Sequence, residues 1–219
     1  MDQFTQFDGN LLIGIQQALN ADWLTPVMKF FSLLAEDGIF LILVCLVMMI
    51  FRRTRRAGII CTLALAFTFV CCNLILKPLV DRDRPWEVFN MVNVMLPVLG
   101  DGSFPSGHSA NSMATAWALF MTSRPVRTDK GRSYDEVRCL GWDGEGVSPK
   151  VTHRISVIAV AVAVLVGVSR IYLGMHYPSD VACGLLLGML TATVTYKVIL
   201  RVEDSRGLIG SVTRQNRDE

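Results

Sequence analysis

The chain has 219 residues, 52% of them hydrophobic, with a mean hydropathy of +0.42 and a formal net charge of only +2. That is more apolar than a soluble domain of this length, so the soluble class is set aside and a membrane protein becomes the first expectation. The six cysteines do not alter this, because Cys45, Cys61, Cys71, Cys72 and Cys183 fall in apolar runs with no CxxC pair and no histidine at metal-ligand spacing.

No stretch joins a basic start, a short apolar core and a small-residue cleavage site, so no signal peptide is expected. Residues 10–34 are moderately apolar but interrupted by Asn20, Asp22, Pro26 and Lys29. They read either as a sixth, broken crossing or as a pair of short helices at the outer interface. Six crossings with both termini inside is the expectation adopted. Glu36 and Asp37 then lie at the outer mouth as interfacial charges.

Five clear apolar runs follow: Gly38 to Phe51, Ala57 to Leu76, Ser109 to Ser123, Ile155 to Ser169 and Val181 to Tyr196. Each is apolar all round and, with flanking residues, reaches the length a bilayer crossing needs. Backbone groups inside lipid must be satisfied internally, so the expected fold is all-α, an integral-membrane helical bundle. One transmembrane domain is expected over residues 1–201, with a Gly-rich, charged loop at 124–153 and a polar tail at 202–219. His153 is read as a solvated residue of that loop.

Cations set the orientation. Arg52, Arg53, Arg55 and Arg56 follow the first run; Arg124, Arg127, Lys130, Arg132, Arg138, Lys150 and Arg154 occupy the long connector; Lys197, Arg201, Arg206, Arg214 and Arg217 close the chain. By the positive-inside rule all three segments are cytoplasmic, and the chain threads without conflict. Three polar stretches are then left at the outer ends of helices: KPLVDRDRP from Lys77 to Pro85, PSGH from Pro105 to His108, and SRIYLGMHYPSD from Ser169 to Asp180.

Their residue types suit one chemistry. Arg84 and Arg170 offer planar forks of donors for phosphate and Lys77 adds a compact charge. Ser106 and Gly107 open a helix, where main-chain N–H groups face an oxyanion. A phosphoryl transfer needs a nucleophile and a proton donor, roles that His176 and His108 can divide. Pro178 suits the first position of a helix, which puts Asp180 at the third, able to reach back and hold one ring nitrogen of His176. Arg82, inside the first stretch, reads as a rim charge.

These stretches resemble the three signature motifs of the type 2 phosphatidic acid phosphatase (PAP2) superfamily, in order and in internal spacing: Lys77 with Arg84 and Pro85, Pro105 to His108, and Ser169 with Arg170, His176 and Asp180. The resemblance implies a PAP2/chloroperoxidase-like fold with His176 as the nucleophile forming a phosphohistidine, His108 as general acid and Asp180 orienting His176. Lys77, Arg84, Ser106, Gly107 and Arg170 would bind the phosphoryl oxygens, with no metal or other cofactor. It further implies a lipid phosphatase or diphosphatase of the cytoplasmic membrane, its site facing outward, its partners a lipid phosphate and membrane lipids and no nucleic acid. Undecaprenyl diphosphate is the first substrate expected, with phosphatidylglycerol phosphate, phosphatidic acid, diacylglycerol diphosphate and lipid A phosphate as alternatives. A non-catalytic lipid-binding or transport protein is the reading from another class, against which the complete His176, His108 and Asp180 set stands. The vanadium haloperoxidases resemble the family in their oxyanion pocket, but they are soluble. Oligomeric state is not legible.

Overall fold

A computed structural model of the chain describes residues 3–19, 21–97, 100–124 and 149–205. Most of the long connector, Cys139 within it, and the tail from 206 lie outside the described residues, as do Asn20 and the side chain of Asp37. The described residues are helical and contain no strand. The elements are α1 (Gln3–Ala18), α2 (Leu24–Leu33), α3 (Ile39–Ile50), α4 (Arg55–Phe69), α5 (Lys77–Val80), α6 (Pro85–Val88), α7 (Gly107–Thr122), α8 (Pro149–Tyr172) and α9 (Pro178–Ser205). The five clear apolar runs are therefore α3, α4 with its extension, α7, α8 and α9.

Among the described residues, three helical stretches are long and apolar enough to cross a membrane: Arg55–Val88, Lys150–Tyr172 and Pro178–Glu203. Large apolar side chains such as Leu46 and Val47 on α3, Phe67 on α4, Ile158 on α8 and Leu190 on α9 point away from the core. Such a surface is stable against lipid and costly against water.

At the centre is α7, wrapped by α4, α8 and α9. Its contact with α9 is close because Gly184 and Gly188 are four residues apart and face α7. A Cβ on Gly184 would collide with the Ser106 carbonyl, and one on Gly188 with the Ala110 carbonyl. Small residues let helix backbones approach where burial of apolar surface drives nothing, as in lipid. That approach seats the start of α7, which carries the second motif, against the start of α9, where the third motif ends.

Residues 10–34 fall in two separate helices, α1 and α2. α1 has 16 residues and α2 has 10, both short of the roughly 20 a crossing requires. Both pack around the end of α8. The Gln16 amide donates to the carbonyls of Asn93 and Tyr172, both at 2.9 Å, and Thr25 pairs with the Tyr172 hydroxyl at 2.9 Å. Met28 packs with Tyr172, Leu173 and Met175.

The opposite end of the bundle is held by other groups. Arg56 at the start of α4 forms a two-pronged bond with Glu203 near the end of α9, at 3.0 and 2.8 Å. Ser123 after α7 meets Ser156 in α8 at 3.0 Å, and the exposed His153 ring lies 5.5 Å from that of Phe120.

Candidate active site

The first motif is aimed by a change of helical pitch. Beyond Phe69 the helix continues as a π-helix from Val70 to Leu76 before resuming as α5 at Lys77. Pro78 has no N–H to bond back to Leu74, so a regular α ladder cannot run through this point. The chain then turns at Asp81, whose φ is 41°. Arg84 follows just ahead of α6, its main-chain N–H bonded to the Glu87 carboxylate at 2.7 Å and its side chain 1% exposed.

The third motif forms the turn between α8 and α9. Gly174 has a φ of 74°, and a Cβ there would strike the Asn93 carbonyl, so glycine is required on both counts. The N–H groups of Met175 and His176 both donate to the Arg170 carbonyl, at 2.9 and 3.3 Å. Helix α9 starts at Pro178, and the Asp180 carboxylate accepts the Tyr177 N–H at 3.0 Å, the reach-back expected of the third helical position.

His176 is fully enclosed, and its Nδ1 lies 2.8 Å from the Ser103 carbonyl. Only an N–H can bond a carbonyl, so Nδ1 carries the proton and the Nε2 lone pair is free. The Asp180 Oδ2 is 3.7 Å from Nδ1, outside bonding range. It accepts the Ser103 hydroxyl and the Tyr177 N–H instead. The carboxylate thus stands beside the ring it is expected to orient, and Ser103 links the two, its carbonyl to the ring and its hydroxyl to Asp180. Burial, followed by the Arg84 and Arg170 charges, lowers the His176 pKa to about 4 against the opposing pull of Asp180. The ring is neutral at neutral pH.

Opposite Nε2 stand the cations. Arg84 Nη1 is 3.5 Å from Nε2 and 3.0 Å from the Met175 carbonyl, and its Nε is 2.9 Å from the Asp101 carbonyl. Lys77 and Arg84 both grip the Asp101 carboxylate, which is half exposed. Despite the opposing effect of partial burial, Lys77 and then Arg84 hold the Asp101 carboxyl below the usual carboxylate range. Arg170, 3% exposed, donates through Nη1 to Ser32 at 2.5 Å, while its buried Nε has no acceptor. An anion would supply one.

Lys77, Arg84, Gly107, His108 and His176 line one cavity of about 940 Å³. Arg170, Ser106 and Asp180 are not among its lining residues. Ser106 departs from expectation, because its main-chain N–H donates to the Asp180 carbonyl at 3.1 Å instead of facing an anion. Its hydroxyl, which accepts that of Ser109 at 2.9 Å, is fully buried. From the cations the cavity continues between α3 and α4 past Leu74, Val70, Phe69, Leu65 and Ile42. Lys77 to Thr62 is 15 residues, roughly 20 Å of helix. Glu36 lies exposed in the 3₁₀ turn Glu36–Gly38, whose Gly38 lines the same cavity.

Arg82 is not a rim charge. Its side chain is 13% exposed, with Nη1 2.6 Å from Asp180 Oδ1 and 2.8 Å from Ser179 Oγ, and Nη2 2.9 Å from Asp8. Its guanidinium lies over the Tyr177 ring, 3.9 Å from the centroid. Sequence reasoning also missed Ser103, Asp101 and Asp8, and the two asparagines, Asn73 and Asn111, that line the cavity. Ser103 and Asp101 sit within five residues of PSGH, a proximity that could have signalled them; Asp8 is 74 residues from its partner and had no signal. Among the described residues, no group of three or more His, Cys, Asp or Glu is placed to hold a metal ion.

A family model described as the PAP2 superfamily matches residues 57–204. The chain is 30% identical over 166 residues to an undecaprenyl-diphosphatase of Sulfolobus acidocaldarius, covering 75% of this chain and 66% of that protein. It is 30% identical over 172 residues to phosphatidylglycerophosphatase B of Bacillus subtilis, covering 77% and 71%. In three dimensions it superposes on the crystal structure of a transmembrane PAP2 type phosphatidylglycerolphosphate phosphatase from Bacillus subtilis. The TM-score is 0.67 at 24% identity, over 92% of this chain and 89% of the other. That likeness concerns the fold.

Proposed function

The chain belongs to the PAP2 superfamily, and from that premise we propose that it is a membrane lipid phosphatase or diphosphatase, with undecaprenyl diphosphate as the first candidate substrate. The observation that carries the reading is the shape of the cavity. Its cationic end holds Lys77, Arg84, His108 and His176, and its apolar arm runs between α3 and α4. A phosphate headgroup joined to a long hydrocarbon chain has this same division. The distribution of Lys and Arg supports a site facing the outside of the cytoplasmic membrane.

The reaction divides among the side chains as follows. His176 Nε2 attacks phosphorus in line with the leaving oxygen; the P–N bond forms as the P–O bond to the leaving group breaks. His108 delivers a proton to that oxygen. Lys77, Arg84 and Arg170 neutralise charge on the remaining phosphoryl oxygens, with Asp101 displaced from the cations by the substrate. A water molecule then attacks phosphorus, giving its proton to His108; the P–N bond breaks and inorganic phosphate leaves.

Purified protein should release phosphate from undecaprenyl diphosphate in the presence of EDTA, and His176→Ala should abolish release. A panel with phosphatidylglycerol phosphate, phosphatidic acid, diacylglycerol diphosphate and lipid A phosphate ranks the substrates. Full activity of the alanine variant removes His176 as nucleophile, and loss in EDTA points to a metal.

A further inference from the structure

Arg82 is the node at which three parts of the chain meet around the histidine. Its carbonyl accepts the Ser103 N–H at 2.7 Å, fixing the residue whose own carbonyl holds His176 Nδ1. Its guanidinium bonds Asp180, whose other oxygen takes the Ser103 hydroxyl. One residue therefore restrains Ser103 from the main chain and Asp180 from the side chain. The guanidinium is held in turn by Asp8 on α1, whose side chain is 4% exposed and which also bonds the N–H and hydroxyl of Ser179.

Two carboxylates buried on one guanidinium are costly unless the geometry satisfies them. Here Asp8 takes bonds from Arg82 and Ser179, and Asp180 from Arg82, Ser103 and Tyr177. A rotation of the Arg82 side chain would take this donor from Asp180 Oδ1 and loosen the carboxylate that receives the Ser103 hydroxyl.

We propose that Arg82 and Asp8 are positioning residues for His176, so that the N-terminal helix α1 forms part of the catalytic apparatus. Neither residue lines the cavity, and the charged atoms of both are taken up by partners within the protein. The inference rests on the phosphatase reading above. If it holds, these residues govern how often the ring is aimed for attack, not how tightly a lipid binds.

The test measures kcat and KM separately on the best lipid of the panel for wild type, Asp8→Asn, Arg82→Gln and Arg82→Lys, with the detergent-solubilised Tm of each. Loss of an outer partner that orients a metal-bound histidine lowers activity by about 10- to 100-fold, and the same scale is expected for this ring. The expected order is Arg82→Gln toward the upper value and Asp8→Asn toward the lower, both in kcat, with KM within about two-fold. Arg82→Lys, which keeps the charge, should recover part of the loss. If Arg82→Gln does not fold, Asp8→Asn decides alone. A wild-type kcat in Asp8→Asn, a change confined to KM, or a kcat loss matched by loss of folded protein overturns the positioning role. Turnover by the wild type with unaffected variants sinks this inference alone; a wild type inactive on every lipid sinks the phosphatase reading, and the positioning role with it.

Discussion

Two clusters of buried charge stand at opposite ends of this bundle, and they differ in whether their bonds close. At the far end, Arg56 and Glu203 meet in a two-pronged pair, with side chains 8% and 7% exposed. At the site end, Lys77, Arg84 and Arg170 gather beside one half-exposed carboxylate, and Arg170 keeps a buried Nε without an acceptor. A closed pair ties helices together. An open cluster leaves room for an anion that is not part of the chain.

The comparison is broken most sharply at its closed end. Arg56→Ala leaves the Glu203 carboxylate buried without this partner, a loss of about 3–5 kcal/mol in stability. The expected result is a large drop in Tm with kcat of the folded protein unchanged. A kcat that falls as steeply would show that the two ends are not separable.

A second prediction concerns the acid limb of the pH profile. With its pKa lowered to about 4, His176 is neutral and able to attack at every pH above that value. Attack should be lost only as pH falls through about 4, instead of through the ordinary histidine value near 6.5. The acid limb of kcat/KM reports it; a limb near 6.5 that stays in place on substitution of Arg84 or Arg170 would contradict the buried, cation-flanked ring.

The smallest effect concerns Asp101. It is ionised and competes for Lys77 and Arg84, so Asp101→Asn should tighten inhibition by inorganic phosphate. A change of about 1 kcal/mol corresponds to roughly five-fold in Ki. Weaker inhibition would mean that Asp101 helps organise the cations instead of occupying their site.

Much of this was legible in advance because it is local. The runs that became α3, α4, α7, α8 and α9 announce themselves by apolar length, and Pro178 with Asp180 announces the start of α9 by capping chemistry. The alternation of crossings brought the three motifs to one end. That residues 10–34 form two helices packed on the end of α8 was not legible from their composition. Polar side chains such as Asp8 and Gln16, which weaken the case for a lipid-facing span, are buried here on partners 74 to 171 residues away.

What the sequence determined by itself was the helices and the inventory of a candidate site: two histidines, the cations and Asp180, each suggested by residue chemistry and short spacing. Which atoms those groups use was decided by the tertiary structure. The Ser106 N–H went to the Asp180 carbonyl, the histidine ring to the Ser103 carbonyl, and Arg82 inward to Asp180 and Asp8. Each such bond joins residues 73 or more positions apart, a separation over which helical periodicity carries no information. They form because a buried donor must find an acceptor once the helices have packed.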